Sequence, residues 1–238
     1  MPTELRVVNE GIAHDDKHWY FTNQHFIYKT KQWPIEIELA NYKAIGEELT
    51  HKSYNHIGDI DIIGDLIIGG IEANEGNGAL ASWNTTDLSM IKYRVTEQGD
   101  MPWVAIDKTT RRIYSCAWND QAQLQMYDLD TFEFIGTLPV NTDNNSPLLP
   151  KEIQGGAFYN GDLYLCTNID DAIWKINIAT GVVSFALSDP IFDKYDYEME
   201  GIDFWDLRDK GFGVMHVFGN FMKVTEKSVI SYDPPVAF

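Results

Sequence analysis

The chain has 238 residues with 44% hydrophobic and 13% aromatic content, enough for a large core and a single domain spanning residues 1–238. Its 36 acidic and 18 basic residues leave a formal charge of −18, a field that repels nucleic acid and anionic membrane surfaces and disfavours both as partners. No stretch reaches transmembrane length, and the start Met1-Pro2-Thr3-Glu4 lacks a charged segment followed by an apolar one, so a soluble, cytoplasmic protein is expected.

In chain order, five stretches repeat one pattern. Glu10-Gly11-Ile12-Ala13 leads to Trp19-Tyr20-Phe21, and a second copy opens at His56-Ile57-Gly58-Asp59. Pro102-Trp103-Val104 opens the third, which runs to Tyr114-Ser115-Cys116. Glu152-Ile153-Gln154-Gly155-Gly156 opens the fourth and Glu200-Gly201-Ile202 the fifth. The anchors Gly11, Gly58, Val104, Gly155 and Gly201 recur at intervals of roughly 40–50 residues, the spacing of propeller blades built from short strands. Between the strands of the fourth unit stands Asn160-Gly161, a hairpin signal because both residues tolerate positive φ. Units three and four end in Asp128-Leu129-Asp130-Thr131 and Asn177-Ile178-Ala179-Thr180, whose polar side chains close turns on the backbone. No long segment of helical period is present beyond a possible turn near Tyr42 to Leu49.

The expected fold is therefore all-β, a five-bladed β-propeller. Leu5-Arg6-Val7-Val8 belongs to no unit, and its pairing into the last blade would close the ring and remove two open sheet edges. Ser228 to Tyr232 is the alternative source of that outer strand. Cys116 and Cys166 occupy equivalent strands of neighbouring units, which places them in different sheets as buried free thiols.

Propeller geometry brings the residues before each anchor, and those ending each second strand, to one mouth of the channel. These are Glu10 with Asn23, His56 and Asp59 with Glu72, Trp103 with Trp118, Gln154 or Glu152 with Asn168, and Glu200 or Glu198 with Asn220. Carboxylates and asparagine carbonyls could hold a calcium-like cation, which takes six to eight oxygens at most sites. Asparagine after a strand is equally turn chemistry, and Glu-Gly equally a strand entrance. His56 is a candidate general base beside Asp59 or Glu10, or else a histidine bonded to backbone at the channel wall. Trp103 and Trp118 either pack between blades or form a stacking wall for an aromatic or cationic ligand. Asp59, Asp61 and Asp65 do not match the twelve-residue calcium loop. Serine-nucleophile, phosphate-loop, Rossmann and paired-cysteine zinc motifs are missing from the sequence.

Through Glu10-Gly11-Ile12, Gln154-Gly155-Gly156 and Glu200-Gly201-Ile202, each followed by apolar-Tyr-apolar strands, the chain resembles the non-WD propellers. That group includes gluconolactonase- and paraoxonase-like calcium-dependent hydrolases, strictosidine synthase-like proteins and NHL-repeat proteins. The resemblance implies a Ca²⁺ site on Glu10, Asn168, Asn220 and Glu200. The Gln-Gly and Glu-Gly openings are also similar to plant-type glutaminyl cyclases. The expected function is a small-molecule enzyme, a metal-assisted hydrolase or a cyclase/lyase. In it Glu10, His56 and Asp59 are catalytic and Trp103, Trp118, Gln154 and Glu72 bind the ligand. The competing class is a non-catalytic ligand-binding or protein-interaction propeller.

Overall fold

The computed structural model describes residues 10–118, 123–142, 151–168, 172–188, 197–207, 210, 212–221 and 227–232. The first blade is the antiparallel meander β1 (Ile12–His14), β2 (His18–Thr22), β3 (Ile27–Lys31) and β4 (Ile37–Asn41). One helical turn, α1 (Glu47–Thr50), links it to β5 (Tyr54–Ile63), β6 (Leu66–Ala73), β7 (Ala79–Asn84) and β8 (Met90–Val95). The third blade is β9 (Ala105–Asp107), β10 (Arg112–Ser115), β11 (Gln123–Asp128) and β12 (Phe134–Pro139). A short strand β13 (Asn141–Thr142) lies parallel on the outer edge of the fourth blade. That blade contains β14 (Ile153–Tyr159), β15 (Asp162–Thr167), β16 (Ala172–Asn177) and β17 (Val182–Ser188). The last sheet is β18 (Tyr197–Leu207), β19 (Phe212–Phe221) and β20 (Lys227–Tyr232).

The all-β propeller arrangement stands, but the expectation of five blades is corrected. Four sheets carry the full four-stranded meander, giving four blades, and the remaining sheet has three strands among the described residues. The repeat count rested on the anchors Gly11, Gly58, Val104, Gly155 and Gly201 at the inner strands, which carry no information about how many strands follow them. The proposed closure by Leu5 to Val8 lies outside the described residues. Within them, β19 pairs with β18 on one side and on the other with β20, which contains Ser228 to Tyr232.

The turns form for the reasons their residues suggest. Asn160 and Gly161 both have positive φ, 53° and 88°, and join β14 to β15 as a two-residue hairpin. The Asp128 carboxylate accepts the N–H groups of Asp130 at 3.0 Å and Thr131 at 2.8 Å, and Asn177 Oδ1 accepts that of Thr180 at 3.0 Å. Cys116 and Cys166 are buried free thiols, and burial raises the Cys166 pKa well above the ordinary thiol range. No helix among the described residues is long and apolar enough to cross a membrane.

Each blade presents its first strand to the axis. β1 contacts β5 and β18, β5 contacts β9, β9 contacts β14, and β14 contacts β18, while β5 also reaches across to β14 and β18. Apolar clusters fill the spaces between successive sheets, with Trp83 and Leu49 between the first two blades and Trp103 and Leu165 between the third and fourth. The glycine anchors mark where the inner strands crowd. A Cβ on Gly58 would fall 1.8 Å from Pro102 O, and one on Gly155 would fall 2.6 Å from an Asp59 oxygen and 2.9 Å from Gly201 Cα. At the centre sits Asp59, fully buried. Its Oδ1 accepts the Ile12 N–H at 3.0 Å, and its Oδ2 accepts those of Gly156 at 3.2 Å and Ile202 at 3.3 Å. One carboxylate thus ties the inner strand of the second blade to those of the first, the fourth and the last sheet.

The junction between the first blade and the last sheet is aromatic. Phe21 and Phe218 lie 5.5 Å apart, and Trp19 meets His216 edge-on at 4.6 Å and Trp205 at 6.0 Å. His14 Nδ1 hydrogen-bonds Asp203 Oδ2 across the same seam. His216 is 4% exposed with Nδ1 unpartnered, and burial holds its pKa down at about 4. A histidine depressed in the folded state binds fewer protons there than in the unfolded chain, so stability rises with pH between about 4 and 6.5. His216→Phe is expected to flatten the loss of melting temperature on acidification through that window, a term of at most about 1.4 kcal/mol per pH unit. Parallel melting curves for wild type and variant from pH 7 to about 4 would remove His216 as the cause.

Candidate active site

The inner strands run from one end of the channel to the other, with Asp59, Ile12, Gly156 and Ile202 at mid-height. The residues that precede these positions gather at one mouth. There His56 Nε2 lies 2.9 Å from Glu10 Oε2, and its Nδ1 lies 3.3 Å from Glu72 Oε2. Glu10 comes from the entrance to β1, His56 from β5 and Glu72 from β6, where His56 and Glu72 are cross-strand partners. On the opposite side Glu198 Oε1 accepts from Asn168 Nδ2 at 2.8 Å and from Gln154 Nε2 at 3.3 Å. Glu198 also hydrogen-bonds the Glu200 side chain, and the Glu10 charge acts on it.

The pKa shifts follow from this crowding. Burial raises the Glu198 pKa, the charge of Glu10 adds to it, and the Gln154 amide opposes it. Burial also raises Glu72, with the His56 charge pulling the other way. For His56 burial works against the charged form, but Glu10, Glu72 and Glu198 outweigh it and the pKa rises. With both ring nitrogens against carboxylates, His56 is held as an imidazolium that bridges Glu10 and Glu72.

The remaining expected residues are distributed as follows. Asp59 lies below this mouth at the channel centre, sealed from solvent with its oxygens on backbone N–H groups. Trp103 is fully buried in the core between the third and fourth blades, where a Cβ on Gly156 would fall 2.5 Å from its ring, so it packs and does not offer a stacking face. Trp118 is half-buried at the rim, its N–H donating to Asp100 Oδ2 at 2.9 Å and its C=O accepting from Glu152 N at 3.1 Å. Glu200 is 6% exposed. Asn220 pairs with Glu198 in the strand register, and its side chain lies outside the described residues. Among the described residues no group of three or more His, Cys, Asp or Glu side chains is arranged to hold a metal ion. Asn168 turns its amide N–H to Glu198 and leaves a buried Oδ1 without a partner. A free carbonyl oxygen beside carboxyl groups suits an N–H or ammonium donor as well as it suits a hard cation.

Two features escaped the sequence. Asp100, which positions Trp118, precedes its anchor in a stretch without pattern. The choice between Glu198 and Glu200, and between Glu152 and Gln154, was open because the strand register shifts between Met199 and Gly201 and between Ile153 and Gly155. A bulge moves the following side chains to the other face, and bulges gather at functional rims.

No family model matches the chain, and no curated protein matches it by sequence. Solved structures do resemble it. The crystal structure of Myxococcus xanthus glutaminyl cyclase superposes with a TM-score of 0.67 at 14% identity, covering 96% of this chain and 93% of that one. A luciferin-regenerating enzyme superposes with a TM-score of 0.59 at 13% identity, covering 94% of this chain and 91% of that one. Both neighbours are propeller enzymes, and at such identities the likeness establishes the fold.

Proposed function

We propose that the mouth formed by Glu10, His56, Glu72, Gln154, Asn168 and Glu198 is the active site of a small-molecule enzyme of cyclase type. In this reading an amine within the substrate attacks a carbonyl of the same molecule. The observation that carries the proposal is Glu198, a carboxyl group with a raised pKa, held by two carboxamides and in contact with Glu200. Such a group donates a proton to a leaving amine and takes one back from the attacking amine. The His56 imidazolium neutralises and orients Glu10 and Glu72, and the carboxylates that remain attract an ammonium-bearing substrate. Trp118, half-buried, is the aromatic residue assigned to cover it in this reading. The likeness to a glutaminyl cyclase supports cyclisation over the other chemistries this fold can host.

The test is incubation with peptides bearing an N-terminal glutamine, followed by ammonia release and mass spectrometry, beside a panel of lactones and esters with and without calcium. Cyclised peptide in the presence of a chelator is expected. Hydrolysis of a lactone only when calcium is added would replace this reading with the metal-assisted one on Glu10, Asn168, Asn220 and Glu200. Turnover of no compound in either panel would favour a binding module.

A further inference from the structure

At the other end of the channel the inner strands finish in a second polar cavity of about 300 Å³, on the far side of Asp59 from the mouth described above. Its lining includes Asp61 of β5, Lys108 just after β9, Tyr159 at the end of β14, and Asp203, Phe204 and Asp206 of β18. The volume stands at the small end of ligand pockets, enough for a single-ring molecule.

Two of these carboxylates are fixed by the backbone. Asp61 Oδ2 accepts the Ile106 N–H at 2.8 Å and its Oδ1 that of Ile62 at 2.6 Å. Asp203 Oδ1 accepts the Phe204 N–H at 2.8 Å, and its Oδ2 bonds His14. One side of the cavity is an aromatic wall, where Tyr159 and Phe204 stack at 4.8 Å with 12° between their planes. Tyr159 is seated directly on β19, since a Cβ on Gly213 would fall 2.5 Å from its hydroxyl oxygen. The Lys108 ammonium lies 3.4 Å from Asp61 Oδ1 on a side chain that is 57% exposed, and Asp61 and then Asp203 act on its charge. Asp107 and Asp206 add further negative charge to the lining, while His14 stands behind Asp203. The cavity is therefore anionic overall, backed by carboxylates held on backbone N–H groups and by a stacked aromatic pair, and bordered at its charged end by the exposed Lys108 side chain.

We propose that this cavity is a second small-ligand site for an aryl- or alkyl-ammonium ion, with Asp61 and Asp203 as its anionic floor, Tyr159 and Phe204 as its wall, and Lys108 as a tethered ammonium that the ligand displaces. A ligand ammonium makes the ion pair that Lys108 makes now, and its apolar body lies against the half-buried Tyr159, whose ring is backed by the stacked Phe204. Displacing Lys108 releases that side chain to solvent, where an exposed ion pair is worth little, so the exchange favours the ligand.

The test is titration of the folded chain with benzylammonium, followed by calorimetry and by backbone amide shifts. Benzyl alcohol serves as the neutral isostere, and the same titration in Glu198→Gln controls for binding at the opposite mouth. Shifts at Ile106, Asn160 and Phe204 are expected, with Lys108→Met binding about two- to fivefold more tightly than wild type. Asp61→Asn, which keeps an oxygen for the Ile106 N–H, is expected to remove the gain. Equal affinities in wild type and Lys108→Met, equal binding of the alcohol, or shifts confined to the Glu198 mouth would each overturn the proposal. The first two comparisons stand even if Asp61→Asn does not fold.

Discussion

Asp59→Ala is expected to cost about 3–5 kcal/mol of folding stability. Three N–H groups from three different inner strands, those of Ile12, Gly156 and Ile202, donate to its two oxygens. All three lie at the sealed centre of the ring, and the Asp59 carboxylate is their shared acceptor. Removing it strands them in a small void, where each unsatisfied buried donor costs about 1–3 kcal/mol. Asp59→Asn separates shape from hydrogen bonding. It preserves volume and one acceptor oxygen but turns an NH₂ toward N–H groups that have nothing else to give, so an intermediate loss is expected. Burial lifts the Asp59 pKa well above the carboxylate range while the Ile12, Ile202, Ile60 and Gly156 N–H groups pull it down. Urea unfolding provides the measurement, with the midpoint reporting stability and the slope reporting the surface exposed. An alanine variant that unfolds at the wild-type midpoint would mean that the sheets hold together without this carboxylate.

The same centre explains what the sequence could and could not reveal. Gly11, Gly58, Gly155 and Gly201 were legible as a repeat because each meets a neighbouring backbone or the Asp59 side chain at a distance no Cβ tolerates. The Asn160-Gly161 hairpin and the Asp128 turn were legible because they depend on local φ and side-chain geometry alone. Asp59 looked like a partner for His56 since it stands three residues away on one strand. The register shift between Ile57 and Ile60 carries it instead into the axis. Trp103 looked like a rim residue, but the side-chain-free Gly156 opposite it leaves a slot that an indole fills. In the last sheet Ser228 to Tyr232 was legible as a strand, but whether Leu5 to Val8 or that segment lies outermost was not, because outer strands face solvent and carry little apolar pattern. The wiring of the mouth was not legible, since hydrogen bonds such as Asn168 to Glu198 join residues brought together only by closure of the ring.

In the proposed cyclase reaction that wiring makes Glu198→Gln the decisive change, expected to lower kcat/KM by about 10²–10⁴-fold with the melting temperature nearly unchanged. Glutamine fills the same volume and can still accept from Asn168 and Gln154, so the fold has no reason to respond. It cannot give up or take a proton, so the reaction does. The Glu198 pKa is raised above its ordinary value, first by burial and then by the Glu10 charge, so the acid form persists to a higher pH than in a free glutamate. A step that needs this proton therefore proceeds below the raised pKa and fails as pH climbs through it. The descending limb of the kcat/KM profile is expected to belong to Glu198 and to vanish in Glu198→Gln. Gln154→Ala supplies the complementary shift. The Gln154 amide favours the ionised form of Glu198, and its removal is expected to move the limb to higher pH without abolishing turnover. Wild-type turnover in Glu198→Gln, or a limb that stays fixed in Gln154→Ala, would assign the proton to another group, of which Glu72 is the next in line by its own burial and raised pKa.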